Sequence, residues 1–331
     1  MEGDIFMIWV GIIGAKGYFG DALARLVAGH PEAQVSTVMD LQEMSDGSAC
    51  MYGSTEARPG YWSMMNAVKK SDIIFSGLTG SSAAEVYSEA LSCGKRIIDI
   101  GDKNSLRSLM EGNSAYPGSV YGLSELYKDK MKDAAIVANP SSYCTGAILG
   151  LAPLAANNMA DMDSAYIESK SGIASLRKTD RLTETGIASN CGVKTYKVDC
   201  KDYAEEVNEQ MQALFGRRAS ASYASYIIPG IKGITTTINI KPQAGVNAVD
   251  ILDVYREFYK ANPFVEVCGK GMIPEIKGGF NRHFCKIGAH TDADSGKMIV
   301  TTVLDDALRG VASQAIQSMN LMCGIDGETG L

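Results

Sequence analysis

The sequence has few of the residues that build metal centres or disulfide frameworks. Its 331 residues include three histidines and eight cysteines, and no two cysteines have the C-x-x-C spacing of a zinc ribbon. A structural zinc site needs four Cys or His ligands close together, and disulfide frameworks are typical of short secreted chains. We therefore predict no metal ion, and we expect most cysteines to be reduced and buried.

Charge of one sign and long apolar runs are also scarce. The formal net charge is -7, and Lys and Arg are scattered along the chain, which excludes a basic face for nucleic acid. Glu2 and Asp4 stand where a secretory signal would be basic, and the apolar run of residues 5–13 is too short to cross a bilayer. We expect a cytoplasmic protein with neither a nucleic-acid nor a membrane partner.

What the sequence does contain is an alternation of short apolar runs and amphipathic stretches over residues 9–102. This pattern is typical of an α/β, Rossmann-type doubly wound parallel sheet covered by helices on both faces. Residues 234–240 and 297–303 are β-branched or alternating instead, which predicts an α+β second domain with a mostly antiparallel sheet. Residues 307–322 have apolar side chains at helical spacing, which predicts a closing helix that returns to the first domain.

A glycine turn follows the first apolar run. Gly14, Gly17 and Gly20 form a G-x-x-G-x-x-G pattern at the start of a helix, where backbone N–H groups and the helix dipole favour a phosphate. This predicts a dinucleotide site, to which we assign Gly14, Lys16, Gly17, Tyr18, Phe19, Gly20, Asp40, Leu78 and Thr79. Asp40 ends the second apolar run, where an acid binds the ribose 2′-hydroxyl of NAD; the alternative is that it caps a loop.

These patterns predict two domains. Residues 1–142 with 306–331 form the dinucleotide-binding domain, and residues 143–305 form a domain for substrate, catalysis and oligomerisation. The boundary lies where Asn139-Pro140-Ser141-Ser142 precedes an apolar helical stretch, because Pro and Ser are signals for the start of a helix.

Several short stretches resemble the N-acetyl-γ-glutamyl-phosphate reductases of arginine biosynthesis and, more widely, the semialdehyde dehydrogenase group. Spread over nearly the whole chain, they are residues 12–20, 121–126 (YGLSEL), 137–145 (VANPSSYCT), 170–172 (KSG), 196–198 (YKV), 284–288 (FCKIG) and 319–324 (MNLMCG). The resemblance implies a cysteine that displaces phosphate from an acyl phosphate, giving a thioester that NADPH reduces. It also implies that Ser171, Gly172 and His283 lie at the cofactor; for His283 the alternative is a structural histidine.

The chain departs from the family at the reacting positions. The family motif Asn-Pro-Gly-Cys-Tyr-Pro-Thr places its cysteine at Ser142, and the family stretch His-Arg-His places its histidines at Lys201 and Tyr203. A serine hydroxyl has a far higher pKa than a thiol, so we predict altered chemistry. A deliberate Cys-to-Ser replacement would account for Ser142 but not for Lys201 and Tyr203. We interpret Cys144, two residues further on, as a buried core cysteine rather than a displaced nucleophile.

The candidate catalytic residues are Ser142, Lys201 and Tyr203. If residues 201–203 are extended, Lys201 and Tyr203 face the same way, and the ammonium would lower the pKa of the phenol and make it a proton donor. The alternative is that both are ordinary surface and packing residues. Arg177, Lys178 and Arg181 could hold an anionic substrate or could form a solvated charged stretch.

Three functions therefore stay open. The first is an NAD(P)-dependent reductase of amino-acid biosynthesis that acts on a small amino-acid-derived acyl phosphate or semialdehyde, either free or bound to a carrier. The second is a direct ketone or imine reductase that uses NAD or NADP without a covalent intermediate, and the third is a catalytically silent binding subunit. The resemblance also implies a homodimer or a homotetramer.

Overall fold

The computed structural model describes residues 7–15, 17–39, 61–101, 116, 118–173, 193–217, 219–229, 232–244 and 251–331. Lys16, Asp40 and the cations Arg177, Lys178 and Arg181 lie outside the described residues, so the roles predicted for them stay predictions. The chain divides into two compact units, one of Met1–Ser141 with Val311–Leu331 and the other of Ser142–Gly310.

The first unit is built on a parallel sheet. Its elements are β1 (Ile8–Ile13), α1 (Tyr18–Ala28), β2 (Ala33–Met39), α2 (Tyr61–Lys69), β3 (Ile73–Ser76), α3 (Gly80–Ser92), β4 (Arg96–Asp99), β5 (Ser119–Tyr121), α4 (Ser124–Met131) and β6 (Ile136–Ala138). The six strands have the order β2-β1-β3-β4-β6-β5, and every pair is parallel. The strand order reverses at β1, which is where such sheets bind ligands. The predicted Rossmann-type domain is confirmed.

The second unit is built on a seven-stranded sheet. Its elements are α5 (Ser142–Ala156), β7 (Ala160–Ser171), β8 (Lys194–Lys197), α6 (Lys201–Phe215), β9 (Ser222–Ile227), β10 (Ile234–Pro242), α7 (Ile251–Tyr259), β11 (Val265–Val267), α8 (Ile276–Gly279), β12 (Cys285–Thr291) and β13 (Met298–Leu304). The strand order is β11-β12-β13-β10-β7-β9-β8. Four of the six strand pairs are antiparallel, which confirms the mostly antiparallel sheet.

Helix α5 forms the core of the second unit. It is apolar on all sides, and all but one of its residues are buried, as expected for a helix covered on every face. Pro153 lies inside this helix and has no N–H to give to the carbonyl of Leu149 four residues earlier. The Tyr259 hydroxyl donates to that carbonyl instead, at 2.6 Å. A helix that would otherwise lose a hydrogen bond is therefore completed by a side chain from α7.

The last helical elements are a π-helical turn (Leu308–Ala312) and α9 (Ser313–Cys323), which residues 324–331 follow. Helix α9 packs against α1, α4 and β4 of the first unit. The buried His30 is bonded to this helix, with its Nε2 atom 3.0 Å from Oδ1 of Asn320, so it has a structural role. Among the described residues, no helix has the length and apolar character needed to span a membrane.

Candidate functional site

The glycine turn (residues 14–20) joins β1 to α1. Gly14 and Gly17 have φ values of 72° and 95°, a region that residues with a Cβ atom rarely adopt. A Cβ atom placed on Gly20 would lie 1.4 Å from the carbonyl oxygen of Ala15. The turn can therefore form only with glycine at these positions.

The start of α1 is shaped to receive an anion. Gly17 is the N-cap, no side chain of the described residues caps the helix, and a Cβ atom at Gly17 would meet none of them within 4 Å. Tyr18 and Phe19 follow in the first turn, half-buried, with their ring centroids 5.4 Å apart. Uncapped N–H groups beside open space fit the pyrophosphate of a dinucleotide.

A second turn, after β3, packs against the first. Leu78 is buried, and a Cβ atom on Gly14 would lie 2.6 Å from its Cδ2 atom. Thr79 is the exposed N-cap of α3 and makes no side-chain capping bond. Because parallel strands all end at one edge of the sheet, the two turns adjoin where the strand order reverses. The predicted cofactor residues of these two turns that the structure describes are thus brought together; Lys16 and Asp40 are not among them.

Ser142 is the first residue of α5 and is 6% exposed. A Cβ atom on Gly310 would lie 2.5 Å from the Cβ atom of Ser142, so the chain at Gly310 passes directly against it. Within the described residues no hydrogen bond reaches the Ser142 hydroxyl, and hence none from a base that could take its proton. Gly310 was missed in the sequence, where nothing local marks it, because its role depends on a long-range contact.

Ser171 ends β7, and its hydroxyl lies 2.7 Å from the hydroxyl of the buried Tyr143. The N–H of Gly172 donates to the carbonyl of Gly233 at 3.1 Å. Both predicted cofactor residues of this stretch are therefore held by contacts within the second unit. The contact from Tyr143 to Ser171 links the residue beside Ser142 to the KSG stretch.

The predicted pairing of Lys201 with Tyr203 is wrong, because residues 201–203 are helical rather than extended. Helix α6 begins at Lys201, and two residues along a helix turn a side chain by about 200°. Lys201 therefore points to solvent, where its Nζ atom lies 3.6 Å from the exposed carboxylate of Asp199.

Tyr203 points the other way, into the core. Its ring stacks on Tyr143 with centroids 4.9 Å apart and planes 11° apart, and it lies 5.4 Å from the Tyr223 ring. Burial, followed by the neighbouring Tyr143 and Cys144, raises the pKa of Tyr203 well above its ordinary value of 10. This shift is opposite to the one that an adjacent ammonium would produce.

Cys144 is fully buried, and its Sγ atom lies 4.0 Å from the Tyr203 carbonyl oxygen. It is thus a core cysteine, as we expected from the sequence. Its side chain is enclosed within the second unit.

His283 precedes β12 and is half-buried. Burial lowers the pKa of its imidazole below the ordinary value of 6.5; the nearby Asp305 carboxylate raises this pKa, and the Arg309 guanidinium lowers it. Arg309 itself is fully buried, with its guanidinium 5.5 Å from the centroid of the Phe264 ring. Sequence reasoning missed Asp305 and Arg309, because only the fold brings them to His283.

Comparison with known proteins agrees with this architecture. Residues 9–134 match the family model described as the NAD binding domain of semialdehyde dehydrogenase, and residues 142–306 match its dimerisation domain. The chain is similar in structure to aspartate semialdehyde dehydrogenase II of Vibrio cholerae complexed with ASA, with a TM-score of 0.70, 13% identity and coverage of 96% of this chain and 98% of that one. It is also similar to the NADP-containing aspartate semialdehyde dehydrogenase of Candida albicans, with a TM-score of 0.63, 12% identity and coverage of 95% and 99%. At such identities these likenesses show the fold alone.

Two relatives are similar over almost their full length. The N-acetyl-gamma-glutamyl-phosphate reductase of Desulforudis audaxviator is 30% identical, covering 98% of both chains, and that of Pelotomaculum thermopropionicum is 30% identical, covering 97% of both. The chain therefore belongs to the semialdehyde dehydrogenase family. This assignment confirms two predictions that depend on it, an oxidoreductase as the class of protein and a nicotinamide dinucleotide, NAD or NADP, as the cofactor.

Proposed function

We propose that the protein is an NAD(P)-dependent reductase that transfers hydride directly to a small amino-acid-derived carbonyl compound, without a covalent enzyme intermediate. The relatives are named as reductases of an acyl phosphate, N-acetyl-γ-glutamyl phosphate. The chain is similar to them in sequence over almost its whole length, so the proposed substrate class is the corresponding acyl phosphate or semialdehyde, or a ketone or imine of similar size.

One observation carries the change of chemistry: an oxygen nucleophile stands where the resemblance places sulfur. The Ser142 hydroxyl has no hydrogen-bonding base among the described residues. A helix N-terminus stabilises a negative charge by roughly 0.3–1 kcal/mol, which corresponds to less than one unit of pKa. Ser142 therefore stays protonated near neutral pH and cannot take the part of a thiolate.

The other residues of the proposed site have separate roles in binding and reduction. The glycine turn and the start of α1 bind the pyrophosphate, and the bound cofactor supplies the hydride. Ser142 donates a hydrogen bond to the carbonyl oxygen of the substrate, which polarises it for reduction. After hydride transfer that oxygen takes a proton from water, so Ser142 keeps its own. Tyr203 stays neutral and holds Tyr143 in place by stacking. Asp40 favours NAD over NADP, and Arg177, Lys178 and Arg181 favour an anionic substrate.

We also infer a homodimer or homotetramer, formed by a protein of the cytoplasm. The match to a dimerisation domain supports this inference. One face of the second sheet is covered by α5, while the side chains of Tyr166, Glu168 and Lys170 on β7 are half-buried or exposed on the other. A mixed aromatic and charged face of this kind suits contact with a second copy.

The proposal is tested by steady-state assays with NADH and NADPH on three panels of substrates: small semialdehydes, ketones or imines, and acyl phosphates. We expect turnover on one panel and a Ser142→Ala variant that keeps at least about a tenth of it, because one hydrogen bond is lost. Semialdehyde oxidation that requires phosphate and disappears in Ser142→Ala would show the family reaction instead. Binding of dinucleotide without turnover on any panel would favour a silent binding subunit.

A further inference from the structure

A buried asparagine directly after β6 has an unsatisfied acceptor. Asn139 is 2% exposed, and its Nδ2 atom donates to the carbonyl of Val311 at 3.4 Å. A carbonyl only accepts, so the amide cannot be turned the other way round. Its Oδ1 atom is buried and has no hydrogen-bond partner in the part of the chain that the structure describes. Buried acceptors are rarely left in this state without a reason.

A second unsatisfied group follows the neighbouring strand β5. Ser124, the first residue of α4, is 3% exposed, and its hydroxyl also has no partner among the described residues. Gly122, two residues earlier, donates its N–H to the Ala138 carbonyl at 2.7 Å, and a Cβ atom on Gly122 would lie 2.9 Å from the Cα atom of Asn139. The ends of β5 and β6 thus bring an acceptor and a hydroxyl to one part of the sheet edge.

The position along this edge points to one end of the cofactor. All six strands are parallel, so β5 and β6 end at the same edge as β1 and its glycine turn. In such sheets the adenosine ribose is bound by an acid at the end of the second strand, here Asp40 after β2, and the pyrophosphate lies at the first turn. The strand order then runs from β1 through β3 and β4 to β6, so the nicotinamide end of a dinucleotide bound in this way extends toward β6.

We propose that Asn139, together with Ser124, binds the carboxamide of the nicotinamide ring. The carboxamide N–H donates to Oδ1 of Asn139, and the carboxamide oxygen accepts from the Ser124 hydroxyl. The two protein groups therefore match the donor and the acceptor of the carboxamide. This inference rests on the proposed function, since it requires that the protein bind a nicotinamide dinucleotide. Both atoms are shielded from solvent, so the ring must displace what covers them when it enters.

The test removes each group and compares ligands with and without the ring. Asn139→Leu keeps the size of the side chain without its polar atoms, and Ser124→Ala removes one hydroxyl. Ser318→Ala is the matched control, because Ser318 is also buried without a partner among the described residues but lies in the middle of α9. Dissociation constants are measured separately for four ligands. NADPH is compared with 2′-phospho-ADP-ribose, and NADH is compared with ADP-ribose, because the second ligand of each pair lacks the nicotinamide ring.

We expect Asn139→Leu to weaken binding of the reduced dinucleotide about tenfold and Ser124→Ala about threefold, while the ring-free ligands change less than about twofold. Ser318→Ala should leave all four ligands unaffected. The acetylpyridine analogue of the dinucleotide, which lacks the carboxamide N–H, should bind equally to the wild type and to Asn139→Leu.

Three outcomes overturn the inference. Equal weakening of dinucleotide and ring-free ligand would show a structural role for Asn139, and unchanged binding of both would show no role. If the wild-type protein binds none of the ligands, the proposed function fails together with this inference, whereas normal wild-type binding confines the failure to the two residues.

Discussion

The glycine turn and the start of α5 are both built by close approach of the backbone, yet they differ in what has been retained. At the turn, a Cβ atom on Gly20 would meet the Ala15 carbonyl at 1.4 Å; at α5, a Cβ atom on Gly310 would meet Ser142 at 2.5 Å. The turn keeps every glycine that a dinucleotide site requires, whereas α5 has an oxygen where the resemblance places sulfur. The glycine turn belongs to the first unit and Ser142 to the second, so a substitution at one of them need not alter the backbone that forms the other.

The largest expected effect concerns the glycine turn. Gly20→Ala should weaken binding of NADH and NADPH about a thousandfold, because the added methyl group overlaps a backbone oxygen that cannot move without opening the turn. Fluorescence titration with both dinucleotides measures the effect.

Gly29→Ala is the matched control for that variant. Gly29 ends α1 with a φ of -93°, and a Cβ atom there would have only ordinary contacts, at 3.7 Å and beyond. Its binding should change less than about twofold. Equal binding by Gly20→Ala and Gly29→Ala would mean that the turn does not hold the cofactor.

The next effect concerns Tyr203 in the second unit, at a position where the resemblance places a histidine. Tyr203→Ala should lower the free energy of unfolding by about 3 kcal/mol, because the ring lies against Tyr143 and Tyr223. Tyr203→Phe keeps the ring, so its turnover should stay within about twofold of wild type. Urea unfolding and steady-state kinetics measure the two quantities.

Lys201→Ala serves as the control on the same helix. Its ammonium is exposed and, among the residues that the structure describes, is paired with the exposed Asp199, so the free energy of unfolding should change by less than about 0.5 kcal/mol. A large loss of turnover in Tyr203→Phe with normal stability would restore the phenol as a proton donor.

The smallest expected effect is the pH response of His283. Its pKa is lowered in the fold, so the unfolded chain binds the proton first, and stability falls as the pH drops from about 6.5 toward the folded pKa. His283→Gln should remove this part of the acid dependence, a change well under about 1 kcal/mol because the group is half-buried. Urea unfolding at pH 7.5 and pH 5 compares the two proteins; a steeper fall in His283→Gln would contradict this sign.

Both sheets follow from local patterns in the sequence, because burial on one or two faces sets the period of apolar residues along a strand. The alternation in β10 and the continuous apolar run of β3 are direct readings of that rule. The glycine turn was also predictable from a local pattern, because its three glycines lie within seven residues. Lys16 and Asp40, which belong to the same prediction, are outside the described residues.

The second unit was harder to predict at its site because the relevant contacts join distant parts of the chain. Helix α6 starts at Lys201, so residues 201–203 are helical rather than extended, and Lys201 and Tyr203 are separated by about half a turn. Gly310 and Arg309 have no local signal, since their places are set by Ser142 and Phe264, which are far away in sequence. Residue spacing predicts contacts within a turn or a helix, but it does not predict contacts between residues that are far apart in sequence.

In the proposed reaction, hydride reaches the substrate without a covalent bond to Ser142. The most direct measurement is the intact mass of the protein after acid quenching of a reaction with oxidised dinucleotide and the best aldehyde substrate, made in the absence of phosphate. We predict an unchanged mass for the wild-type protein. An increase equal to one acyl group, mapped by digestion to the peptide that contains Ser142, would contradict the account.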